Sequence, residues 1–412
     1  MTIYTLITIL ISITAVFAYI NTKFLKLPNT IGLMLISIVF SLALGIVNYV
    51  NPKIIAPLIQ TINDLDFSAI VLNVLLSFLL FAGALHTDFK LLKEQKNSVI
   101  VFASAGVLLS TLFIGSILFC IAMLFNLNIP FIYCLLFGSF ISPTDPIAVL
   151  GILTKANVPK KLEINIVGES LFNDGIGVVL FITILTIINK GFVNFGAIEI
   201  AKLFAIEAIG GILFGLVLGY IIYVLLKSID DYETEVIITL AIVMGGSLMA
   251  SYLHVSAPLA MVVAGLMTGY KTKDVAMSYT TAKYVDKFWH LLDVLLNALL
   301  FVLMGLKILT IQFEWQYVWL SILLIPLFIG ARYIALFIPH LFASKFISIQ
   351  RKDLVLMTWG GLRGGLSIAM ALSLSNTMEH KNLFVAITYG IVIFSIFLQG
   401  LSIQKLVSKL YK

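Results

Sequence analysis

Charged residues are scarce in this sequence, and their scarcity excludes an ordinary soluble protein. Only 11% of the 412 residues are Asp, Glu, Lys or Arg, whereas 61% are hydrophobic. A soluble domain of this length needs far more charge to cover its surface. Apolar runs of about eighteen residues or more instead recur along the whole chain, which indicates a polytopic all-α membrane protein embedded in a lipid bilayer.

The usual signatures of enzymes and cofactor-binding proteins are also missing. The two cysteines, Cys120 and Cys134, both lie in apolar runs, and no haem, zinc or iron–sulfur spacing occurs. No Gly-rich phosphate loop follows a strand-like segment, which argues against nucleotide-driven pumping. The net charge of +6 does not predict a nucleic-acid partner, because Lys and Arg lie at the ends of apolar runs. We therefore expect neither an enzyme nor a cofactor.

Hydropathy predicts about thirteen transmembrane helices in one membrane domain, residues 1–412, without a soluble regulatory tail. The predicted spans lie near 2–20, 30–50, 68–87, 98–126, 129–153, 163–189, 197–226, 235–253, 256–271, 286–308, 316–341, 353–375 and 383–404. The first run lacks a basic start and a small-residue cleavage site, so we expect a retained span rather than a signal peptide.

The basic residues predict the orientation of the chain. Of the 26 Lys and Arg residues, nineteen fall in loops on one side of the predicted spans and four on the other. The side rich in Lys and Arg is usually cytoplasmic. This places the N-terminus outside and the C-terminus in the cytoplasm.

Two predicted spans are interrupted at corresponding places. Thirteen spans allow two inverted six-helix repeats joined by a linking span, so that span five corresponds to span twelve with the opposite orientation. Span five contains SPTDP (142–146) and span twelve contains GGLRGG (360–365). Paired interruptions in the two halves of a transporter point to a binding site near the membrane midplane.

Ionisable residues inside these apolar runs point to a cation or proton site. Each of Asp145, Glu169 and Asp174 costs roughly 2.5–3.5 kcal/mol at the centre of an isolated spanning helix. The two prolines of SPTDP disfavour helix and free backbone carbonyls. Carbonyl and carboxylate oxygens are the ligands that a small hard cation such as sodium requires.

Span six presents polar groups along one helix face. Glu169 and Asn173 are four residues apart, as are Ser170 and Asp174, so the two pairs form neighbouring stripes. This face has enough oxygen ligands to complete a site begun by Thr144 and Asp145.

Arg363 supplies a fixed positive charge to this cluster. We expect it to hold one acid ionised and to leave Asp174 free to bind either a proton or a cation. Three acids and one Arg leave the empty site at about −2, and one sodium ion or one proton brings it to the same charge. This predicts one-for-one, electroneutral exchange.

The motifs, taken together and in this order, resemble the cation:proton antiporter superfamily in its NhaP/NHE sodium–proton exchanger branch. Besides SPTDP, ESLFND (169–174) and GGLRGG, they include FAGALHTD (81–88), LHVSAPLAMVVAGLMTG (253–269) and FWHLLDVLLNALLFVLMGLKI (288–308). The resemblance spans nearly the whole chain. It implies exchange of Na⁺ (or Li⁺) for H⁺ across the cytoplasmic membrane by alternating access, in the service of pH homeostasis.

The resemblance also implies a homodimer and a set of site residues. Residues 1–88 and 197–308 would form a dimerisation part, and residues 98–189 and 316–404 a moving core. Na⁺ would be bound by the backbone of Thr144 and by Asp145, Ser170 and Asp174, with Glu169 contributing through water. Asn173, Glu169 and Arg363 would form a supporting polar link. Many relatives have acidic residues where Ala82 and Ser251 stand, and their loss here bears on cation choice or pH response rather than on the central site.

Three alternatives compete with sodium–proton exchange. A K⁺/H⁺ antiporter of the same fold stays open at this point, because the sequence does not choose firmly among alkali cations. An intramembrane aspartic protease also needs two buried aspartates, but Arg363 would disturb a pair that shares one proton. A passive channel is usually lined by symmetric rings rather than by one acidic cluster.

Four further charged residues lie in apolar stretches, and we expect them to reach the membrane surface or to pair between helices. They are Glu207, Asp293, Lys202 and Arg332.

Overall fold

The computed structural model describes residues 3–53, 66–145, 158–191, 196–272, 275–311, 314–343 and 349–411, with positions 56, 59, 60, 62, 153 and 347. Helices dominate these residues, and no strand occurs among them. Pro146 and most of the second half of predicted span five lie outside the described residues.

We number the helices of the described residues in chain order. They are α1 Ile3–Ile20, α2 Asn29–Val50, α3 Phe67–Leu85, α4 Phe89–Glu94, α5 Lys96–Leu124, α6 Phe131–Ile141, α7 Lys160–Lys190, α8 Ala197–Lys227, α9 Tyr232–Tyr252, α10 Ala257–Met267, α11 Tyr279–Lys307, α12 Trp315–Ala343, α13 Arg351–Gly360, α14 Gly365–Ser373 and α15 Lys381–Leu410.

The predicted class, an all-α multi-pass membrane protein, is confirmed. Within the described residues, ten helices are long and apolar enough to cross a membrane: α1, α2, α3, α5, α7, α8, α9, α11, α12 and α15. A further pair, α13 and α14, is bent by 54° at a short break, and α6 and α10 are shorter apolar helices. The count of thirteen spans and the two inverted repeats stay predictions.

Local sequence signals set where several helices begin. Proline precedes both α6 and α7, at Pro130 and Pro159, where the backbone is extended. Ser256 caps α10 by accepting a hydrogen bond from the backbone N–H of Leu259. Ser278 caps α11 in the same way.

Helix α7 lies at the centre of the packing and carries ESLFND. It contacts α5, α6, α8, α10 and α13. Two glycines allow close approach: a Cβ at Gly175 would lie 2.5 Å from the side chain of Leu259, and a Cβ at Gly177 would lie 2.2 Å from the ring of Pro143. Helix α7 therefore packs directly against the residues at the end of α6.

Candidate functional site

The two interrupted stretches lie against each other in the structure. Helix α6 ends at Ile141, just before SPTDP, and the α13–α14 break falls within GGLRGG. The backbone N–H of Asp145 donates a hydrogen bond to the carbonyl oxygen of Leu362 at 2.7 Å. Non-helical backbone from both stretches thus meets at one point inside the protein.

Arg363 holds this meeting point together through backbone carbonyls. Its Nη1 donates hydrogen bonds to the carbonyl oxygens of Ser142 at 2.7 Å and Pro143 at 3.0 Å. Its backbone N–H donates to Ser395 Oγ at 2.9 Å, where α15 has a π-helical segment. Arg363 therefore satisfies carbonyls that the end of α6 leaves without helical donors.

Thr144, Ser170 and Asn173 form a buried hydrogen-bonded group between α6 and α7. The Oγ1 of Thr144 lies 2.9 Å from Ser170 Oγ and accepts a hydrogen bond from Asn173 Nδ2 at 2.8 Å. The Oδ1 of Asn173 accepts from the backbone N–H of Thr144 at 3.2 Å. Each of the three residues is at most 2% exposed. The Asn173 side chain therefore holds both the backbone N–H and the hydroxyl of Thr144 in place through hydrogen bonds.

Glu169 pairs with an arginine that the sequence reasoning did not assign to the site. Nη2 of Arg332, on α12, donates a hydrogen bond to Glu169 Oε1, and both side chains are 2% exposed. Asn173 Nδ2 lies 3.4 Å from the same carboxylate oxygen. Arg332 is thus the ion-pair partner of Glu169, because α12 places its guanidinium beside that carboxylate. The supporting link through Asn173, Glu169 and Arg363 stays a prediction.

Asp145 and Asp174 face a common cavity. Both side chains are partly exposed and line a cavity of about 610 Å³. Polar residues further along it, among them Asp88, Lys160 and Glu163, lie in or next to loops on the Lys-rich side of the predicted spans. On the opposite side of the predicted membrane, the start of α3 packs against α14. The two carboxylates can therefore be reached through this cavity.

A glycine of GGLRGG makes room for Asp145. A Cβ at Gly364 would lie 2.3 Å from Asp145 Oδ2 and 2.7 Å from its Cβ. No side chain fits in that space without a shift. The absence of a side chain at Gly364, in the interruption of span twelve, therefore leaves room for the Asp145 carboxylate, in the interruption of span five.

Ala82 and Ser251, the two departures noted with the family resemblance, are not among the described residues that line this cavity. Ala82 is buried in α3, and its carbonyl oxygen lies 2.7 Å from His86 Nδ1. Ser251 donates a hydrogen bond to the carbonyl oxygen of Ser247 at 3.2 Å. Neither Ala82 nor Ser251 lines the cavity in the part of the chain that the structure describes.

Sequence reasoning also missed two residues of the cavity wall. Asp293 and Asn297 of α11 both line the cavity that contains Asp145 and Asp174. Asp293 was expected to reach the membrane surface or to pair between helices, whereas it bonds within its own helix to Asn297. The sequence feature that could have identified them was their spacing of four residues, which places both side chains on one helix face.

Comparison with known proteins gives a consistent result over the whole chain. Residues 11–409 match the family described as "Sodium/hydrogen exchanger, transmembrane". The chain is 45% identical over 411 residues to the Na⁺/H⁺ antiporter NhaP of Pseudomonas aeruginosa, covering 98% of this chain and 96% of that protein. It is 34% identical over 395 residues to the Na⁺/H⁺ antiporter NhaH of Halobacillus dabanensis, covering 94% and 93%.

A solved structure shares the fold. The sodium proton antiporter MjNhaP1 from Methanocaldococcus jannaschii superimposes with a TM-score of 0.77 at 21% identity, covering 99% of each chain. The family match spans nearly all of the sequence, and the two bacterial relatives are similar over almost their full length. This chain therefore belongs to the transmembrane sodium/hydrogen exchanger family.

Proposed function

We propose that this chain is a secondary-active antiporter that exchanges Na⁺, or Li⁺, for H⁺ across the cytoplasmic membrane. The observation that carries the proposal is that Asp145 and Asp174 line one cavity beside the meeting point of the interrupted helices. The bacterial relatives named above are Na⁺/H⁺ antiporters, which favours sodium as the cargo. The alternative of K⁺/H⁺ exchange is not favoured.

The proposed cation site consists of the Asp145 and Asp174 carboxylates with oxygens of Thr144 and Ser170. Their support is the hydrogen-bonded contact of the Thr144 and Ser170 hydroxyls, because Thr144 directly precedes Asp145 and Ser170 lies one helical turn before Asp174. A hard monovalent cation is bound by such oxygens, and a proton binds the same carboxylates. Because the two cargoes compete for Asp174, one is released when the other binds.

Including Arg332 changes the charge of the proposed site. Three carboxylates (Asp145, Glu169 and Asp174) and two guanidiniums (Arg332 and Arg363) leave the empty site with one net negative charge. One sodium ion or one proton then gives a neutral site. Neutral loaded states are the least costly to move through a low-dielectric interior, so this supports electroneutral one-for-one exchange.

The two sides of the protein support alternating access. The cavity lining extends to residues beside the Lys-rich loops, such as Asp88 and Lys160, whereas the start of α3 packs against α14 on the opposite side. The positive-inside rule makes the open side cytoplasmic, with the N-terminus outside and the C-terminus inside. A moving core of residues 98–189 and 316–404, in a homodimer formed through residues 1–88 and 197–308, belongs to the same proposal.

The direct test is proton flux in proteoliposomes on adding Li⁺, Na⁺ and K⁺ in turn. We expect exchange with Na⁺ and Li⁺ from the wild type and none from Asp174→Asn, which removes the exchangeable carboxylate but keeps its shape. Glu207→Gln is the matched control, because Glu207 is a half-buried acid of α8 that does not line the cavity.

Two results would contradict the proposal. One is sodium-driven proton flux retained in folded Asp174→Asn protein. The other is a wild type that moves protons with none of the three cations. Elution of each variant as a single species in detergent establishes that it is folded.

A further inference from the structure

The wall of the cavity formed by α11 carries a second polar pair. Asp293 and Asn297 are one helical turn apart and line the same cavity as Asp145 and Asp174. The supporting polar links described for Glu169, Thr144 and Arg363 do not involve them. Their position on the path to the central carboxylates calls for an explanation of its own.

The Asn297 amide has an orientation fixed by hydrogen bonds. Its Nδ2 donates to the backbone oxygen of Asp293 at 2.9 Å and to Asp293 Oδ1 at 3.0 Å. Because both partners are acceptors, the nitrogen must face them, and the amide oxygen points elsewhere. Asn297 is only 4% exposed, and its Oδ1 has no hydrogen-bond partner among the described residues. A buried acceptor without a protein donor calls for a water molecule or an ion as its partner.

The charges around the pair also favour a cation. Asp145 and Asp293 are two carboxylates on the wall of the same cavity. His290 lies one turn earlier on α11, and Lys160 lies elsewhere on the cavity wall. A small cation near Asp293 reduces the repulsion between the two carboxylates, and its ligands would be the carboxylate and amide oxygens that alkali cations accept.

We propose that Asp293 and Asn297 form a vestibule site, where the cargo cation binds, still partly hydrated, before it passes to Asp145 and Asp174. This inference rests on the proposed cation–proton exchange and adds a second position for the cargo. The cavity leaves space for the water that completes the coordination of the ion. A cation held there starts its final step from within the cavity rather than from bulk water.

The test is the sodium dependence of exchange by Asp293→Asn in proteoliposomes. Asn keeps the shape and an acceptor for Asn297 Nδ2 but removes the charge. We expect the apparent KM for Na⁺ to rise about five- to tenfold, with the maximal rate changed less than twofold. Asn297→Ala, which removes the amide oxygen, should raise KM in the same direction. Glu207→Gln serves as the control and should leave KM unchanged.

Repeating the titration in about 0.5 M choline chloride separates a site from long-range attraction. Added salt screens exposed charges over a few ångströms, whereas ligands in direct contact with the ion are little affected. We expect the ratio of KM between Asp293→Asn and wild type to persist in choline chloride. A ratio that falls to one there would overturn the vestibule site.

Two further outcomes would overturn the vestibule site, and a third would overturn the proposed function. A KM within twofold of wild type in Asp293→Asn, or a loss of maximal rate with KM unchanged, would overturn the vestibule site while leaving exchange intact. A wild type that exchanges no alkali cation would instead overturn the proposed function itself.

Discussion

Glu169 of α7 and Arg332 of α12 form an ion pair in which each side chain is 2% exposed. Removing two charges from water is expensive, and their attraction offsets this cost only while both partners are present. The pair ties α12 to the helix that carries ESLFND. It also supplies a second fixed positive charge beside the three acids of the proposed site.

Arg332→Ala should destabilise the protein strongly, by roughly 3–5 kcal/mol, because it leaves the Glu169 carboxylate buried without its partner. Thermal unfolding in detergent, followed by loss of the monodisperse peak, measures this effect. Arg351→Ala is the matched control, since Arg351 is exposed at the start of α13.

The double variant Glu169→Gln with Arg332→Met tests whether the loss is electrostatic. We expect it to be more stable than Arg332→Ala alone, because no unpaired buried charge remains. If the double variant were no more stable than Arg332→Ala, the unpaired charge of Glu169 would not be the cause of the loss.

Gly364→Ala should reduce exchange sharply while the protein still inserts and folds. The added Cβ would lie 2.3 Å from Asp145 Oδ2, so either the carboxylate or the α13–α14 break must shift. Initial exchange rates in proteoliposomes measure the effect. Gly330→Ala is the control, because a Cβ at Gly330 on α12 meets nothing within 4 Å. Equal exchange rates for Gly364→Ala and Gly330→Ala would show that exchange tolerates a displaced Asp145 carboxylate.

The sequence was sufficient to predict the class of the fold and the stretches that meet. Long apolar runs identify spanning helices because no backbone group in lipid can go without a hydrogen bond. The prolines of SPTDP and the glycines of GGLRGG weaken a regular helix, and these two stretches do lie in contact through Asp145 and Leu362. The i, i+4 spacing on α7 correctly placed Glu169 beside Asn173.

The partner of Glu169 could not be chosen from sequence, because hydropathy does not say which face of α12 turns inward. Arg363 was the counter-charge that the sequence predicted, whereas Arg332 was expected to reach the membrane surface or to pair between helices; its ion pair with Glu169 confirms the pairing. One signal was present: Arg332 is eleven residues from the end of α12 at Ala343, roughly 16 Å at 1.5 Å per residue. That depth is too great for its side chain to reach the membrane surface easily.

Thr144→Val should raise the apparent KM for Na⁺ and lower stability by about 1–3 kcal/mol. Valine keeps the shape but removes the oxygen that accepts from Asn173 Nδ2 at 2.8 Å and contacts Ser170 Oγ at 2.9 Å. Sodium titration of proton flux and thermal unfolding measure the two effects. Thr144→Ser restores the hydroxyl and should recover most of both; failure to recover would mean that the methyl group, not the oxygen, matters.

Proton–sodium competition at a shared carboxylate predicts how exchange depends on pH. The apparent KM for Na⁺ should rise as the pH on the sodium side falls, because protons occupy Asp174, while the maximal rate at saturating Na⁺ stays nearly constant over the same range. Sodium titrations at several pH values measure both quantities. A maximal rate that falls with an unchanged KM would instead indicate a titrating group elsewhere that switches the protein off.

Counting Arg332 in the site keeps the prediction of electroneutral exchange and makes both loaded states neutral. With two arginines and three acids, one Na⁺ or one H⁺ gives a site without net charge, so neither half of the cycle moves charge through the membrane field. Moving one elementary charge across 100 mV costs about 2.3 kcal/mol, enough to change a limiting rate by more than tenfold. Initial exchange rates in liposomes clamped with K⁺ and valinomycin should therefore be the same at 0 and −100 mV. A clear dependence on voltage would mean that Asp145 or Glu169 also changes its protonation during the cycle.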